Sequence, residues 1–182
     1  MHLPIEKRRE WLSVNLKVEE YIRYSQSFDD GKQLFEAIKA QGMEGIMCKL
    51  KGSKYEAGNR SKSWLKIKVS ATDEALIIGY TKGKGDRSKL FGSLHLVKKE
   101  VEELVYYGKV DTGFDQAKIK SILKLLKEVP ITKKKINDTI EGEENTIWIE
   151  PQYVCEIKYA SMTNNNSYRE AVFLEMKKRN SL

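Results

Sequence analysis

The sequence feature that most constrains the fold is a single helical pattern set inside a series of strand patterns. Three strand patterns come first: "ALIIGYTKG", "SLHLVKKE" and "VEELVYYGKV", separated by turns and by breaks at Gly92, Gly108 and Gly113. The segment "DQAKIKSILKLLKEV" then has apolar residues spaced i, i+3, i+4 and i+7, which is helical, and Pro130 ends it. Two further strand regions flank the polar turn "TNNNS": "TIWIEPQYVCEIKYAS" and "AVFLEM". This order predicts an all-β barrel of the OB type with one helix, an architecture that binds nucleic acids.

The segment before Val69 alternates helical and strand patterns instead. The predicted helices are "IEKRREWLSVNL" and "DDGKQLFEAIKAQG", and the predicted strands are "YIRYSQSF", "MEGIMCKL" and "WLKIKV". Asp29 or Asp30 caps the second helix, and Gly42 ends it. The composition changes after Val69, where "SATDEA" is typical of a hinge. We therefore expect an α/β domain over residues 1–69 and an all-β domain over residues 70–182.

Composition places few limits on the partner but suggests a polyanion. The chain has 182 residues, and 33 Lys and Arg against 26 Asp and Glu give a formal net charge of +7. No apolar run approaches the roughly 20 residues that span a bilayer, and the start "MHLPIEKRREWL" lacks the apolar core of a signal peptide. These features predict a cytoplasmic protein with no membrane partner. Cys48, Cys155, His2 and His95 are isolated from one another, so we expect free thiols and no zinc site.

Four charged residues lie on two short predicted strands. Glu44 and Lys49 flank the first strand, while Lys66 and Lys68 alternate along "WLKIK", so both lysines are expected on the same side of it. One carboxylate with several ammonium groups suits a phosphate ester and a divalent cation, since the metal takes hard oxygen ligands. The charges by themselves favour a different interpretation, in which these residues are the solvent-facing halves of two amphipathic strands. The lysine run Lys133 to Lys135 is interpreted as a solvated loop.

The order of these residues resembles a known family. "MEGIMCK" followed by "SKSWLKIK" resembles motifs IV and V of the covalent nucleotidyltransferases, and in particular of ATP-dependent DNA ligases. The loop "GSKYEAGNRSKSW" is similar to that of bacterial end-joining ligases, and "LIIGYTKGKGDRSKLFGSLHL" resembles the opening hairpin of the ligase OB domain. The resemblance implies the C-terminal part of an ATP-grasp-like adenylation (nucleotidyltransferase) domain, followed by an OB domain.

The resemblance also implies roles for individual residues. Glu44 corresponds to the metal-associated glutamate, and Lys49 corresponds to the lysine that closes motif IV. Lys66 and Lys68 correspond to the pair that contacts the nucleotide phosphates, with Trp64 supporting their strand. In the OB part, Arg87 is implied to contact a DNA phosphate, with Lys82 and Lys84 nearby. Arg169 lies where motif VI of the family begins. The implied cofactors are ATP or AMP and Mg²⁺, and the implied substrate is nicked duplex DNA.

Two departures from the family pattern concern self-adenylation. The family attacks ATP with the lysine of a K-x-D-G motif, and no K-x-D-G occurs in these 182 residues. The acidic residue and final lysine of motif VI are replaced within "KKRN", residues 177–180. We therefore expect that this chain does not form the lysyl–AMP intermediate by itself.

Two other functions remain open at this stage. The chain can be a non-catalytic nucleic-acid-binding module, in which certain aromatic residues either stack on bases or belong to the barrel core: Tyr80, Phe91, Tyr106 and Tyr107. It can also be one half of a split ligase that associates with a polypeptide carrying K-x-D-G, or with itself. RNA ligases and capping guanylyltransferases share such motifs, but the hairpin "GKGDRSKLFGSL" looks more like that of DNA ligases.

Overall fold

A computed structural model describes residues 2–179 and divides the chain after Val69 into two compact units. The first unit contains α1 (Ile5–Asn15), α2 (Gly31–Ala40), β1 (Gly45–Lys49) and β2 (Trp64–Lys68). The second contains β3 (Ala71–Lys82), β4 (Phe91–Glu100), β5 (Glu103–Val110), α3 (Gln116–Lys127), β6 (Thr146–Tyr159), β7 (Ser161–Met162), β8 (Tyr168–Arg169) and β9 (Val172–Lys178). Between residues 2 and 179, no helix has the length and apolar character needed to cross a membrane.

The second unit is built on a five-stranded antiparallel sheet in the order β5-β4-β3-β6-β9. The residues that follow β5 meet the other edge strand, β9, at one parallel bridge between Thr112 and Val172, where the Phe173 N–H donates to the Thr112 carbonyl at 2.9 Å. The strand order and the parallel contact between the edges confirm the predicted OB-type barrel. Because a bridge replaces a continuous ladder at this seam, the barrel is only partly closed.

Helix α3 closes one side of the barrel core. Ile119, Ile122, Leu123 and Leu126 are buried, as their spacing predicts, and the Asp115 side chain caps the helix by accepting from the Lys118 N–H. Tyr80 and Phe91 belong to the same core, so they do not offer a surface on which bases stack. Tyr106 and Tyr107 are partly buried, and their hydroxyls hydrogen-bond to His95 and Glu100.

The segment between α3 and β6 covers the outer face of the sheet. Ile136 and Ile140 are buried there against Ile78 and Val97. The lysine run in this segment is less solvated than the sequence interpretation holds, because two of its members are ion-paired: Lys134 with Glu143, and Lys135 with Glu150. The segment is therefore tied to the sheet by charge as well as by apolar contact.

The predicted strand "YIRYSQSF" is wrong. Residues 21–28 form a loop with one isolated bridge, between Glu19 and Ile22, and the Tyr21 side chain is 90% exposed. Tyr24 instead lies against Arg9, whose guanidinium is 4.9 Å from the ring centroid. Strand propensity depends on neighbouring strands, and in the described part of the chain no strand lies alongside this segment.

The predicted hinge "SATDEA" is also wrong. Strand β3 begins at Ala71, and its first residues, Ala71 to Ala75, pair with residues 155–159 of β6. Local composition suggested a linker because these residues are polar and small. Their partners lie about 80 residues later in the chain. A local sequence pattern contains no information about pairing with such a remote segment.

His95 is a buried titratable group in the second unit. Its side chain is 1% exposed, with Nδ1 2.8 Å from the Tyr106 hydroxyl and Nε2 3.1 Å from Thr146 Oγ1. Burial, with a smaller contribution from Lys109, lowers the pKa of His95 from 6.5 to about 4. The folded state therefore keeps the imidazole neutral where the unfolded chain binds a proton.

We expect this to make the second unit acid-sensitive between pH 6.5 and about 4. The stability from neutral His95 is present above pH 6.5 and is lost as the pH falls towards the folded-state pKa. At pH 4.5 the loss is about 2.5 kcal/mol of unfolding free energy. Urea unfolding at pH 7 and pH 4.5 measures it, with His95→Gln as the control, since its amide keeps a donor and an acceptor but does not titrate. An equal loss in both proteins would show that His95 is not the group responsible.

Candidate nucleotide and phosphate site

The β1–β2 hairpin places the predicted site residues on one face. The two strands are antiparallel, with Lys68 opposite Gly45, Lys66 opposite Met47, and Trp64 opposite Lys49. Side chains alternate along a strand, and directly opposed residues share a face, so Lys49, Trp64, Lys66 and Lys68 all lie on the same side. The register of the hairpin thus creates a cationic face from lysines that are far apart in sequence.

Glu44 lies immediately before β1 and contacts both lysines of β2. Its Oε1 is 2.6 Å from Lys66 Nζ and 3.9 Å from Lys68 Nζ. The side chain of Lys66 is 46% exposed and that of Lys68 is 34% exposed, so a ligand in solution reaches both ammonium groups. The structure therefore brings together three of the residues that the sequence singled out. Two ammonium groups beside one carboxylate leave a local positive charge, which suits an anion such as a phosphate.

Lys49 lies at the opposite end of the hairpin from Glu44. Its Nζ is 4.4 Å from the centroid of the Trp64 ring, a cation–π distance. Trp64 is partly buried, and its ring also lies 6.1 Å from that of Tyr55. The tryptophan thus supports Lys49 directly, in addition to occupying the strand that carries Lys66 and Lys68.

Gly45 is what allows Glu44 to come so close to β2. Its φ is +153°, and a Cβ at this position would lie 2.2 Å from the Ile67 carbonyl oxygen and 2.8 Å from Lys68 Cα. At this point the Val69 N–H donates to the Glu44 carbonyl at 2.8 Å. Only glycine fits this close approach, which fixes the start of β1 beside Lys68.

A cavity beside the hairpin was missed by the sequence interpretation. It has a volume of about 510 Å³ and is formed by the loop between β1 and β2. Its lining includes Lys54 and Arg60 together with the aromatic side chains of Tyr55 and Trp64. The sequence signal for it is basic residues alternating with aromatic and small polar ones, in a stretch interpreted only as a polar loop.

The predicted DNA contacts of the second unit lie on one turn. Lys82 ends β3, while Lys84 and Arg87 lie in the turn to β4, and all three are exposed. The turn is compact because the Gly83 N–H donates to the Leu90 carbonyl and the Leu90 N–H donates to the Arg87 carbonyl.

The residues predicted to belong to motif VI lie near the end of the second unit. Arg169 is exposed on β8, and its carbonyl accepts from the Ala160 N–H at 3.0 Å. Of "KKRN", Lys177 and Lys178 end β9 and Arg179 follows it, while Asn180 lies outside the described residues.

The donor set limits which metal ion the chain can hold. Within residues 2–179, no three His, Cys, Asp or Glu side chains gather into a metal-binding group. Cys48 and Cys155 are free thiols, and burial, with a smaller contribution from Glu156, raises the pKa of Cys155 to about 12. The predicted metal residue Glu44 is thus a carboxylate outside any such group, and it lies next to the ammonium groups of Lys66 and Lys68.

Comparison with known protein families covers nearly the whole chain. Residues 1–68 match the family described as the ATP-dependent DNA ligase domain. Residues 87–180 match the ATP-dependent DNA ligase C-terminal region. Each match falls within one of the two units.

Individual relatives are longer proteins. The chain is 33% identical over 177 residues to the multifunctional non-homologous end joining protein LigD of Pseudomonas aeruginosa, covering 93% of this chain and 21% of that protein. It is 30% identical over 179 residues to the DNA ligase of Thermococcus onnurineus, covering 94% of this chain and 30% of that one. The chain thus spans less than a third of either relative.

Solved structures show the same fold. The ligase domain of Mycobacterium tuberculosis LigD superposes with a TM-score of 0.55 at 24% identity, over 94% of this chain and 56% of that one. A Lig E DNA ligase superposes with a TM-score of 0.62 at 19% identity, over 96% of this chain and 59% of that one.

We expect Gly45→Ala to disrupt this site. The added Cβ must displace the backbone of β2, so the hairpin loses stability and Glu44 moves away from Lys66 and Lys68. The cost is about 2 kcal/mol or more. Gly42→Ala is the matched control, since Gly42 also has a positive φ, +68°, but nothing lies within 4 Å of its added Cβ. Amide hydrogen exchange of β1 and β2 compares the two, and equal protection in both variants would contradict the close-approach argument.

Proposed function

Because this chain belongs to the ATP-dependent DNA ligase family, we propose that it binds nicked duplex DNA and nucleotide phosphate but does not adenylate itself. Residues 1–69 are then the C-terminal part of the adenylation domain, and residues 70–182 are the OB domain. The observation that carries the proposal is the contact of Glu44 with Lys66 and Lys68 on an exposed hairpin face.

The hairpin residues are suited to hold phosphate. Lys66 and Lys68 act as point charges on non-bridging oxygens, and Glu44 balances their charge and orients them. Lys49 extends the same cationic face and is held in place by Trp64.

ATP or AMP and Mg²⁺ fit this donor set. Glu44 would be the protein ligand of Mg²⁺, which usually takes one or two carboxylates and completes its shell with water and phosphate oxygens. When bound, the ion supplies neutralisation of phosphate charge. Lys66, Lys68 and Lys49 would contact the nucleotide phosphates, and Arg169 is proposed separately as a cofactor-binding residue of the second unit.

The DNA strand is assigned to the turn between β3 and β4. Lys82, Lys84 and Arg87 present three exposed cations on a compact loop, which favours contact with backbone phosphates. The formal net charge of +7 supports a polyanionic partner.

The absence of self-adenylation follows from the missing nucleophile. No K-x-D-G motif occurs in the sequence, and a lysine replacing it would need in-line geometry and a depressed pKa, because an ordinary ammonium is not nucleophilic at neutral pH. In this proposal, sealing requires a segment carrying K-x-D-G in addition to these 182 residues.

The surface of the first unit supports such a partner. Its buried hydrophobic side chains in the described residues are Ile5 and Ile38, while many large apolar side chains are exposed. These include Trp11, Leu12, Val14, Val18, Tyr21, Phe28, Leu65 and Ile67. Exposed apolar surface of this kind marks an interaction site, which either a K-x-D-G polypeptide or a second copy of the chain would cover.

A non-catalytic DNA-binding module is the second candidate function. It is favoured by the second unit, which has its own extensive core and its own exposed cationic turn. The two candidates differ in one outcome, because the module binds DNA but permits no sealing in any mixture.

We expect nick binding to depend on the hairpin lysines. Combining Lys66→Ala with Lys68→Ala should reduce the preference for nicked over intact duplex at least tenfold and flatten the salt dependence of binding by about 2 in log–log slope. The measurement is fluorescence anisotropy over a salt series. Lys32→Ala with Lys39→Ala, two exposed lysines of α2, is the matched control. Wild-type binding by the Lys66 and Lys68 variant would refute the assignment.

We also expect the chain alone to gain no AMP. Intact mass after incubation with ATP and Mg²⁺ should be unchanged, whereas adding a ligase fragment that carries K-x-D-G should restore sealing of a nicked duplex. A mass increase of one AMP on this chain alone would show that another lysine serves as the nucleophile. DNA binding without sealing in the mixture would favour the non-catalytic module.

A further inference from the structure

Helix α3 carries a row of lysines on its exposed side. Lys120, Lys124 and Lys127 recur at i, i+4 and i+7 and therefore share one face, about 6 Å and then about 4.5 Å apart along the helix axis. Lys118 is exposed near the start of the helix. The opposite face is buried in the barrel core through Ile119, Ile122, Leu123 and Leu126. The lysines are thus fixed to the barrel by a helix that cannot rotate without exposing its core face.

Within residues 2–179 these lysines form no ion pair, although Asp115 and Glu128 flank the helix. Every charged residue between Gln116 and Lys127 is a lysine, and in the part of the chain that the structure describes none of the four forms an ion pair. Lysines elsewhere in the second unit do have acidic partners, such as Lys98 with Asp73. Like charges at i and i+4 repel, whereas the helix dipole disfavours Lys118 in the first turn and favours Lys124 and Lys127 in the last turn. The row of like charges therefore carries a repulsive cost, which a bound external anion would relieve.

We infer that this lysine row is a second contact surface for the phosphate backbone of duplex DNA. Lysine suits phosphate as a point charge, whereas lysines are depleted in protein–protein interfaces, which are enriched in aromatic residues. The exposed side of α3 has no aromatic residue, and Leu125, at 38% exposure, is its one large exposed apolar side chain. The surface thus favours nucleic acid over an acidic protein. The identification of the polyanion as duplex DNA rests on the proposed function. The contact surface on α3 is separate from the hairpin and from the β3–β4 turn, and neither of those sites needs it.

Phosphates along the continuous backbone are present in nicked and intact duplexes alike and carry no sequence information, so α3 should add affinity without adding preference. Its contribution should be equal for nicked and intact duplexes. The hairpin lysines, by contrast, are proposed to act at the nick. This difference separates the two surfaces experimentally.

The test combines Lys120→Gln, Lys124→Gln and Lys127→Gln in the full chain. Glutamine has a helix propensity close to that of lysine, so the fold is retained. Affinity for both duplexes should fall at least tenfold at about 0.1 M salt, and the log–log salt slope should flatten by about 2 to 3. The thermal midpoint should stay the same or rise, because the repulsion along α3 is removed.

The matched control removes the same three charges elsewhere in the second unit. Lys99, Lys133 and Lys158 are exposed and lie on β4, in the segment after α3 and on β6. Their glutamine variant should retain most of the affinity and of the salt slope. If the α3 variant binds DNA as this control does, the inference is overturned, while the hairpin variants still test the proposed function.

The remaining outcomes distinguish the inference from the proposed function. Loss of affinity in the α3 variant, with no effect of the Lys66 and Lys68 variant on nick preference, would support the α3 surface and contradict the proposed nick site. Failure of the unsubstituted chain to bind either duplex at low salt would contradict both.

Discussion

The second unit depends on the antiparallel ladder between β3 and β6. This ladder joins the β3-β4-β5 meander to the β6-β9 pair, and its residues Ile77, Cys155 and Ile157 are fully buried. Asp73 lies within it and accepts hydrogen bonds from Lys98 and Tyr168, which connects three strands through one carboxylate. Burial alone would raise the pKa of Asp73, but these bonds outweigh burial and lower it. The core that holds α3 exists only because this ladder closes over it.

The two units obtain their order from different sources. The second buries a large apolar core, whereas the first is organised by a short hairpin, a close backbone approach at Gly45 and a few ion pairs. The lysines of the β1–β2 hairpin are consequently carried by a sheet of only two strands. The cations of the second unit, on the β3–β4 turn and on α3, are carried by a five-stranded sheet with a buried core.

The features predicted correctly from the sequence are those that depend on local periodicity or on family resemblance. Helix α3 was predicted because its apolar spacing is a local property, and the proximity of Glu44 to Lys66 was implied by the resemblance. Tyr21 to Tyr24 failed as a strand because propensity does not supply a partner, and Ala71 was misread as a hinge because its partner, Tyr159, is remote in sequence. Arg60 was missed as a cavity residue because it lies in a loop, and the conformation of a loop produces no periodic pattern in the sequence.

The register of the barrel places three carboxylates side by side on neighbouring strands. Glu74 of β3 lies opposite Glu156 of β6, and Glu156 lies opposite Glu175 of β9. Like charges directly opposite each other destabilise a sheet. The Lys177 ammonium group lies within 3.7 to 3.9 Å of all three carboxylates, so one cation offsets the repulsion that the strand register creates.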